Sequence, residues 1–443
     1  MMKLLICFAH ILLVFAVSGS DVSALQDQTW NATIEAATQR RWHDVVKQTN
    51  SIDRNRKVPV QVYLVRAMAL MNVGRPADAA RVATIAIARD PTVIESYLTA
   101  AEARRQANQH DSALIVLKAA LRSFPDDARL LLSIGISLAV TGRCNEAIAP
   151  LEDAMFKRPE NVTIAKQLAQ CLAAEDRSQE AAELYGRLLD TEPNDKAVRI
   201  ALAELMVILS LKDSAATLYS QVFSRDTTDV RAALAYSSVL HDLGRSAEAV
   251  TLLRRITTIA PDSADVWYNI GIVQFASGMP DSAIRSYRRA ISLRSTFPEA
   301  LFNLGLAYET RGFVEDAVVA FKRCVVQSKA LAPSAYNRIA ETLRNQNRID
   351  DAIEYHNQAA AFDTTNMYLL AAKGHTLLLG NRYEEAISYL EPLVKQHPNS
   401  PDLLHALARN YVRIGKKSEA LAIAEELDRT KPDFAKDIRE MMR

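Results

Sequence analysis

No stretch of this chain can be read alone, because residues 267–300 recur 34 positions later and 34 positions earlier. The stretch reads W-Y-N-I-G-I-V-Q-F-A-S-G-M-P-D-S-A-I-R-S-Y-R-R-A-I-S-L-R-S-T-F-P-E-A. Trp267, Ile270, Gly271 and Gln274/Phe275 follow an i, i+3, i+4, i+7 spacing, one stripe along a helix. Gly278 and Pro280 break the chain, and Ala283, Tyr287 and Ala290 form a second stripe. Small residues at Gly271 and Ala283 let two backbones approach closely, so the unit is expected to fold as a helical hairpin. Such a hairpin cannot bury both of its faces alone.

The position of Ala283 is filled in turn by Ala79, Ala113, Ala147, Ala181, Ala215, Ala249, Ala317, Ala352, Ala386 and Ala420, with Val45 the one departure. The position of Gly271 is always small: Thr33, Ala67, Ala101, Gly135, Ala169, Ala203, Ser237, Gly305, Ala340, Gly374 and Ala408. Prolines close the units at Pro91, Pro125, Pro159, Pro193, Pro261, Pro398 and Pro432. The pattern resembles the tetratricopeptide repeat family, whose W-x2-L-G-x2-Y, A-x3-F, A, P signature is matched almost completely over 267–295. The resemblance covers about residues 27–434. It implies an all-α fold, a right-handed superhelical solenoid of about twelve antiparallel helix-turn-helix repeats.

Turn residues agree with this. Gly74, Asn108, Gly142, Asp176, Gly244, Gly278, Gly312, Asn347, Asn381 and Gly415 tolerate a left-handed conformation and are expected to stop the first helix of each pair. The first repeat, about 27–60, is degenerate and crowded with Arg40, Arg41, His43, Lys47, Arg54, Arg56 and Lys57, as suits a terminal cap. The register slips once: Leu301 to Tyr336 is a step of 35, and the extra residue is expected in the loop around 328–333. Residues 434–443 are assigned to a final helix that covers the last exposed face.

Residues 1–24 stand outside the repeat. Lys3 precedes an apolar run over 4–17 too short for a comfortable membrane span, and Val22-Ser23-Ala24 supplies small residues for a signal peptidase. The reading is a cleaved secretory signal followed by a solenoid over 25–443, periplasmic or secreted, with a retained N-terminal anchor as the alternative. Three cysteines then remain. Cys144 and Cys171 fall on the second helix of repeat four and the first helix of repeat five, helices expected to pack antiparallel, so the two readings are a disulfide between them and two separately buried thiols, whereas Cys324 takes a small-residue core position and stays free.

Lys+Arg 53 against Asp+Glu 52 gives no basic excess for nucleic acid. Arg104-Arg105, Arg254-Arg255 and Arg288-Arg289 read as solvated faces. No H-E-x-x-H, G-x-S-x-G, Walker or Rossmann loop occurs, so no enzyme and no cofactor is expected. His375 and His405 lie on first helices where they could face a groove, but they read as solvated polar residues rather than a metal pair. Asn161-Val162-Thr163 is a sequon in an inter-repeat loop.

The resemblance further implies that first helices line a concave groove. By phase, repeats eight and nine place Tyr268, Asn269, Ile272, Phe275, Phe302, Asn303 and Leu306 there. Either these residues complete the packing between first helices, or they form an apolar trough for a peptide whose backbone meets the Asn amides. Lys166 matches the lysine of the family's terminal-carboxylate clamp, but Gln170 and Ala201 stand where asparagines are wanted. The expected role is an exported, non-enzymatic scaffold for protein or peptide partners, without stable membrane insertion of the mature chain. Two alternatives are an accessory subunit of an envelope export, secretion or outer-membrane assembly machine associated with a membrane-bound complex, and a partner of a carbohydrate-modifying enzyme.

Overall fold

A computed structural model describes residues 28–50 and 59–443. The proposed signal segment 1–24 lies outside the described residues, as does 51–58 within the cap repeat. The described residues form helices and no strand. The helices run in pairs, twelve repeats in all, followed by one last helix at Pro432–Met441. They divide into two compact bodies, split between Leu218 and Tyr219.

In the first body, repeat one pairs Gln28–Thr38 with Trp42–Asn50, and repeat two pairs Val60–Asn72 with Pro76–Arg89. Repeats three, four and five follow as Ile94–Gln106 with His110–Ser123, Ala128–Val140 with Cys144–Lys157, and Val162–Ala174 with Ser178–Thr191. In the second body, repeat eight pairs Ala264–Ala276 with Pro280–Leu293, and repeat nine pairs Pro298–Thr310 with Val314–Gln327. Repeats ten, eleven and twelve pair Ala332–Asn345 with Ile349–Phe362, Met367–Leu379 with Tyr383–Gln396, and Pro401–Arg413 with Lys417–Leu427.

The core runs along the seams between paired helices. Each alanine at the Ala283 phase is fully buried, as is Val45 in the cap. The glycines at the facing phase explain why small residues recur there. A Cβ on Gly271 would sit 2.5 Å from the Tyr287 ring, and one on Gly305 would sit 2.5 Å from the Phe321 ring. The aromatic ring of the second helix thus occupies the volume a side chain on the first would need.

Local chemistry sets the helix ends. Asp127, Asn161, Asp195, Asp229, Asn366 and Ser400 accept backbone N–H bonds at the starts of first helices. First helices end on a left-handed residue at each of the ten turn positions named from sequence. Gly244 shows the geometry: φ is +75°, its N–H donates to His241, and Arg245 N–H donates back to Leu240 at 2.8 Å. Two such positions escaped the sequence reading, Arg40 (φ 57°) and Ser210 (φ 61°), because neither residue favours that region. Ser210→Gly is therefore expected to raise stability by about 0.5–1 kcal/mol, and Ser210→Val to lower it, as read by urea denaturation.

Second helices open with a signature the sequence reading missed. Arg75, Arg143, Arg177, Arg245, Arg348 and Arg382 each pair with a carboxylate three residues on, in the first helical turn. The carboxylates complement the positive end of the helix.

The register slip is resolved otherwise than expected. The connection 328–331 keeps the four residues found at 294–297, and the extra residue instead lengthens the first helix of repeat ten, Ala332–Asn345, to 14 residues where its neighbours have 13. Pro333 lies in its opening turn, where no intrahelical N–H is needed. The final helix starts at Pro432 rather than 434 and buries Ala435 and Ile438.

Candidate functional site

The seven residues assigned to a trough come together on the first helices of repeats eight and nine. Tyr268, Ile272, Phe275, Phe302 and Leu306 pack partly buried against one cluster that includes Tyr287, Leu304 and Phe321. Tyr268 lies 4.8 Å from the Phe297 ring and 5.9 Å from the Tyr287 ring. Phe302 meets Phe321 edge-on at 5.5 Å. Asn303 donates from Nδ2 to the Tyr268 hydroxyl at 3.0 Å, across the two repeats, while Asn269 donates to the carbonyl of Asp265 at 2.8 Å on its own helix. Burial raises the Tyr268 phenol above its usual pKa, so it stays protonated.

Packing therefore claims part of the strip. Phe302 and Tyr268 lean on buried rings, and both amides spend one N–H internally. The strip keeps a minor exposed part, because each of the seven is partly buried and none is fully buried.

Beside it runs a polar ladder that the sequence reading did not find. Arg338 bridges Glu309 at 2.5 Å and Glu341 at 2.8 Å. Glu341 also accepts from Asn337 at 3.0 Å and from Tyr368 at 3.1 Å. These residues lie on first helices of repeats nine, ten and eleven. Their juxtaposition depends on register across some 30 residues, so no local motif announces it.

Other named positions also move from their sequence reading. His375 and His405 are not solvated polar residues. Their rings lie 5.4 Å apart, His405 stacks on Phe434 at 4.2 Å, and its Nε2 bonds Asp437 at 2.8 Å. Burial, joined by the positive charges of Arg409 and Arg344, pushes His375 down to about 3. His356, buried on the second helix of repeat ten, is pushed down to about 4 by burial and by Arg344 and Lys373.

Arg104-Arg105 is no solvated pair either. Arg104 donates to Thr84, and Arg105 reaches Ser133 at 2.8 Å and Ser137 at 3.0 Å on the next first helix. Lys166 is held by Glu192 at 2.9 Å and Asp195 at 2.5 Å. Asn161 is half-buried, its side-chain oxygen capping the helix at Thr163 and Ile164.

Cys144 and Cys171 are neighbours but are free thiols in this structure, with burial and the hydrogen bond that the Cys171 thiol donates to Cys144 pushing the Cys171 thiol up to about 12. Cys324 is free and fully buried. Among the described residues no group of three or more His, Cys, Asp or Glu side chains could hold a metal ion, and no helix is long and apolar enough to cross a membrane.

Solved structures similar to this chain include yeast Tom70, at 16% identity over 94% of this chain and 96% of that one, with a TM-score of 0.43. MamA matches at 23% identity over 37% of this chain and 95% of that one, with a TM-score of 0.34. A tetratricopeptide repeat protein from Parabacteroides merdae matches at 14% identity over 56% of this chain and 98% of that one, with a TM-score of 0.41. No curated protein matches the sequence. Models of the tetratricopeptide repeat match residues 64–128, 98–161, 141–207, 210–264, 333–366 and 377–442, and a TPR repeat model matches 280–312. These matches together span well over half of the chain and fall on the helical pairs described above, so the chain belongs to the tetratricopeptide repeat family.

Proposed function

We propose that this protein is an exported, non-enzymatic scaffold that holds a protein or peptide partner along its first helices, with the strip of repeats eight and nine as the contact. The observation that carries this is the partly buried but not closed-off set Phe275, Ile272 and Leu306 beside two asparagines, each with a second N–H and a carbonyl oxygen to offer a backbone. At the phase of Phe275 other repeats make do with Ala173 and Val207, so an aromatic ring is not what the helical pair itself requires. Export rests on the sequence of residues 1–24, and an envelope assembly is the setting this would suit.

Aromatic anchors in grooves typically cost about 2 kcal/mol or more of binding when truncated. Phe275→Ala combined with Asn303→Ala is expected to abolish partner capture in cross-linking pull-downs from the host's envelope fraction, with helical content and melting temperature little changed. Capture that survives with the fold intact removes the strip as the site. A melted fold instead assigns these residues to packing.

A further inference from the structure

Two thiols meet at the junction of repeats four and five. Cys144 is the first residue of the helix Cys144–Lys157, and Cys171 lies in the last turn of Val162–Ala174. Only the short connection 158–161 separates the two helices, so they pack antiparallel and the start of one meets the end of the other. Cys171 is wholly buried in the core cluster of these repeats. Cys144 packs against that cluster but keeps part of its surface exposed, and the Cys171 thiol donates a hydrogen bond to it.

Equivalent positions elsewhere show how tight such a junction is. Ile349 stands at the phase of Cys144 in repeat ten, and its Cγ2 is 2.7 Å from where a Cβ on Gly380 would lie, at the end of the next first helix. Gly380 stands at the phase of Glu175, one helical turn past Cys171 and on the same face. Sulfur atoms already in hydrogen-bond contact have only about 1–2 Å to close before they bond. The fold itself requires no thiol at either place. Ser178 stands at the phase of Cys144 in repeat five, and Ser137 at the phase of Cys171 in repeat four, and both serines are buried.

We propose that Cys144 and Cys171 form a reversible dithiol–disulfide site, entered through Cys144 and resolved by Cys171, which exchanges with small disulfides of the glutathione class. The Cys144 thiolate attacks one sulfur of the small disulfide, the S–S bond breaks, and the other half leaves as a thiolate that takes up a proton. Cys171 then gives up its proton and attacks Cys144 Sγ, and the remaining half leaves and is protonated in its turn. Together the two cysteines lose two electrons and two protons, which the small disulfide gains as it becomes two thiols. Cys171 cannot be the point of entry, because it is closed to solvent and burial keeps its thiol protonated. Once formed, the bridge fastens repeat four to repeat five and closes the loop from 144 to 171. The site is independent of the contact proposed on repeats eight and nine.

The test treats the folded full chain with glutathione disulfide, blocks the remaining thiols by alkylation in denaturant, and maps the tryptic peptides by mass. Cleavage after Arg143, Lys166 and Arg323 puts Cys144, Cys171 and Cys324 on separate peptides, and Cys324, buried in a different core cluster, is the control. The Cys144 and Cys171 peptides are expected to appear linked, to separate again under dithiothreitol, and to leave Cys324 alkylated. Cys171→Ser should hold glutathione on Cys144 at about tenfold the level in the parent, where Cys171 displaces it. Cys144→Ser should leave Cys171 unmodified, because nothing then reaches it. Ser137 and Ser178 show that repeats accept serine at these phases, and Cys171→Ala with Cys144→Ala are the replacements if either serine variant fails to fold. Glutathione that persists on Cys144 in the parent without linkage overturns the proposal, as does an unmodified Cys144. Modification of Cys171 in a variant lacking Cys144 also overturns it, and so does linkage that appears only as Cys324 is oxidised, since unfolding would then expose all three.

Discussion

At pH 5 repeats ten to twelve are expected to be less stable than at pH 7.5 by about 4 kcal/mol, the combined contribution of His356 and His375. Both are held below the ordinary histidine range, at about 4 and about 3, first by burial and then by nearby cations. In the folded state they stay neutral at pH 5, whereas in the unfolded chain each protonates near 6.5. The stability they confer is complete above about pH 6.5 and falls as pH drops through that value toward their folded pKa values. His356 stands at the phase occupied by Leu253, Tyr287, Phe321 and Leu390 in other repeats, so an apolar residue fits there. His356→Leu with His375→Gln should therefore flatten the pH dependence. Urea unfolding at the two pH values, followed by circular dichroism, reads this as an early transition at pH 5 in the parent protein that the double variant lacks. An early transition shared by both would assign the acid sensitivity to other groups.

The second large effect concerns the seam between paired helices. Gly305→Val is expected to cost about 3 kcal/mol, because it adds two methyl groups beyond a Cβ that would already lie 2.5 Å from the fully buried Phe321 ring. Gly305→Ala should cost much less. Ala169 shares the phase of Gly305 and faces the phase of Tyr185, so the pair can relax around one methyl group, and alanine also favours the helix. Combining Gly305→Val with Phe321→Leu should recover part of the loss, as the Ala101 and Leu117 pairing suggests. Thermal melts of the three variants check the order, and an undiminished melting temperature for Gly305→Val would show that the ring yields freely.

What the sequence disclosed and what it hid divide along the range of the interaction involved. The helical pairs were legible because Ala283 and Gly271 recur at a fixed step and each states a local steric requirement. The turns were legible where Gly, Asn or Asp stood at the left-handed position, and illegible at Ser210 and Arg40, where the surrounding helices impose a conformation the residue does not prefer. The extra residue near 328–333 was visible as a count, but a loop and a helix start both absorb one residue, and only the packing of Ala332–Asn345 decides between them.

The candidate site was legible as a set of phases, which brought Tyr268, Phe275 and Phe302 onto one face. It was not legible how much of each ring its neighbours would cover, since that depends on Phe297 in the connection between repeats and Phe321 on a second helix lying within ring contact. The histidine pair was hidden for a like reason. Solvated and buried histidines read alike in sequence, and the environment of His405 comes from Phe434 and Asp437 on the final helix.

Site-specific photo-cross-linking tests the central claim most directly. A p-benzoylphenylalanine in place of Phe275, in protein made in its own host, is predicted to give a discrete adduct with one polypeptide. The same group in place of Ile115, exposed on the second helix of repeat three, is predicted to give none. Adducts from position 115 and not from position 275 would contradict the account, because the partner would then lie on the second helices instead.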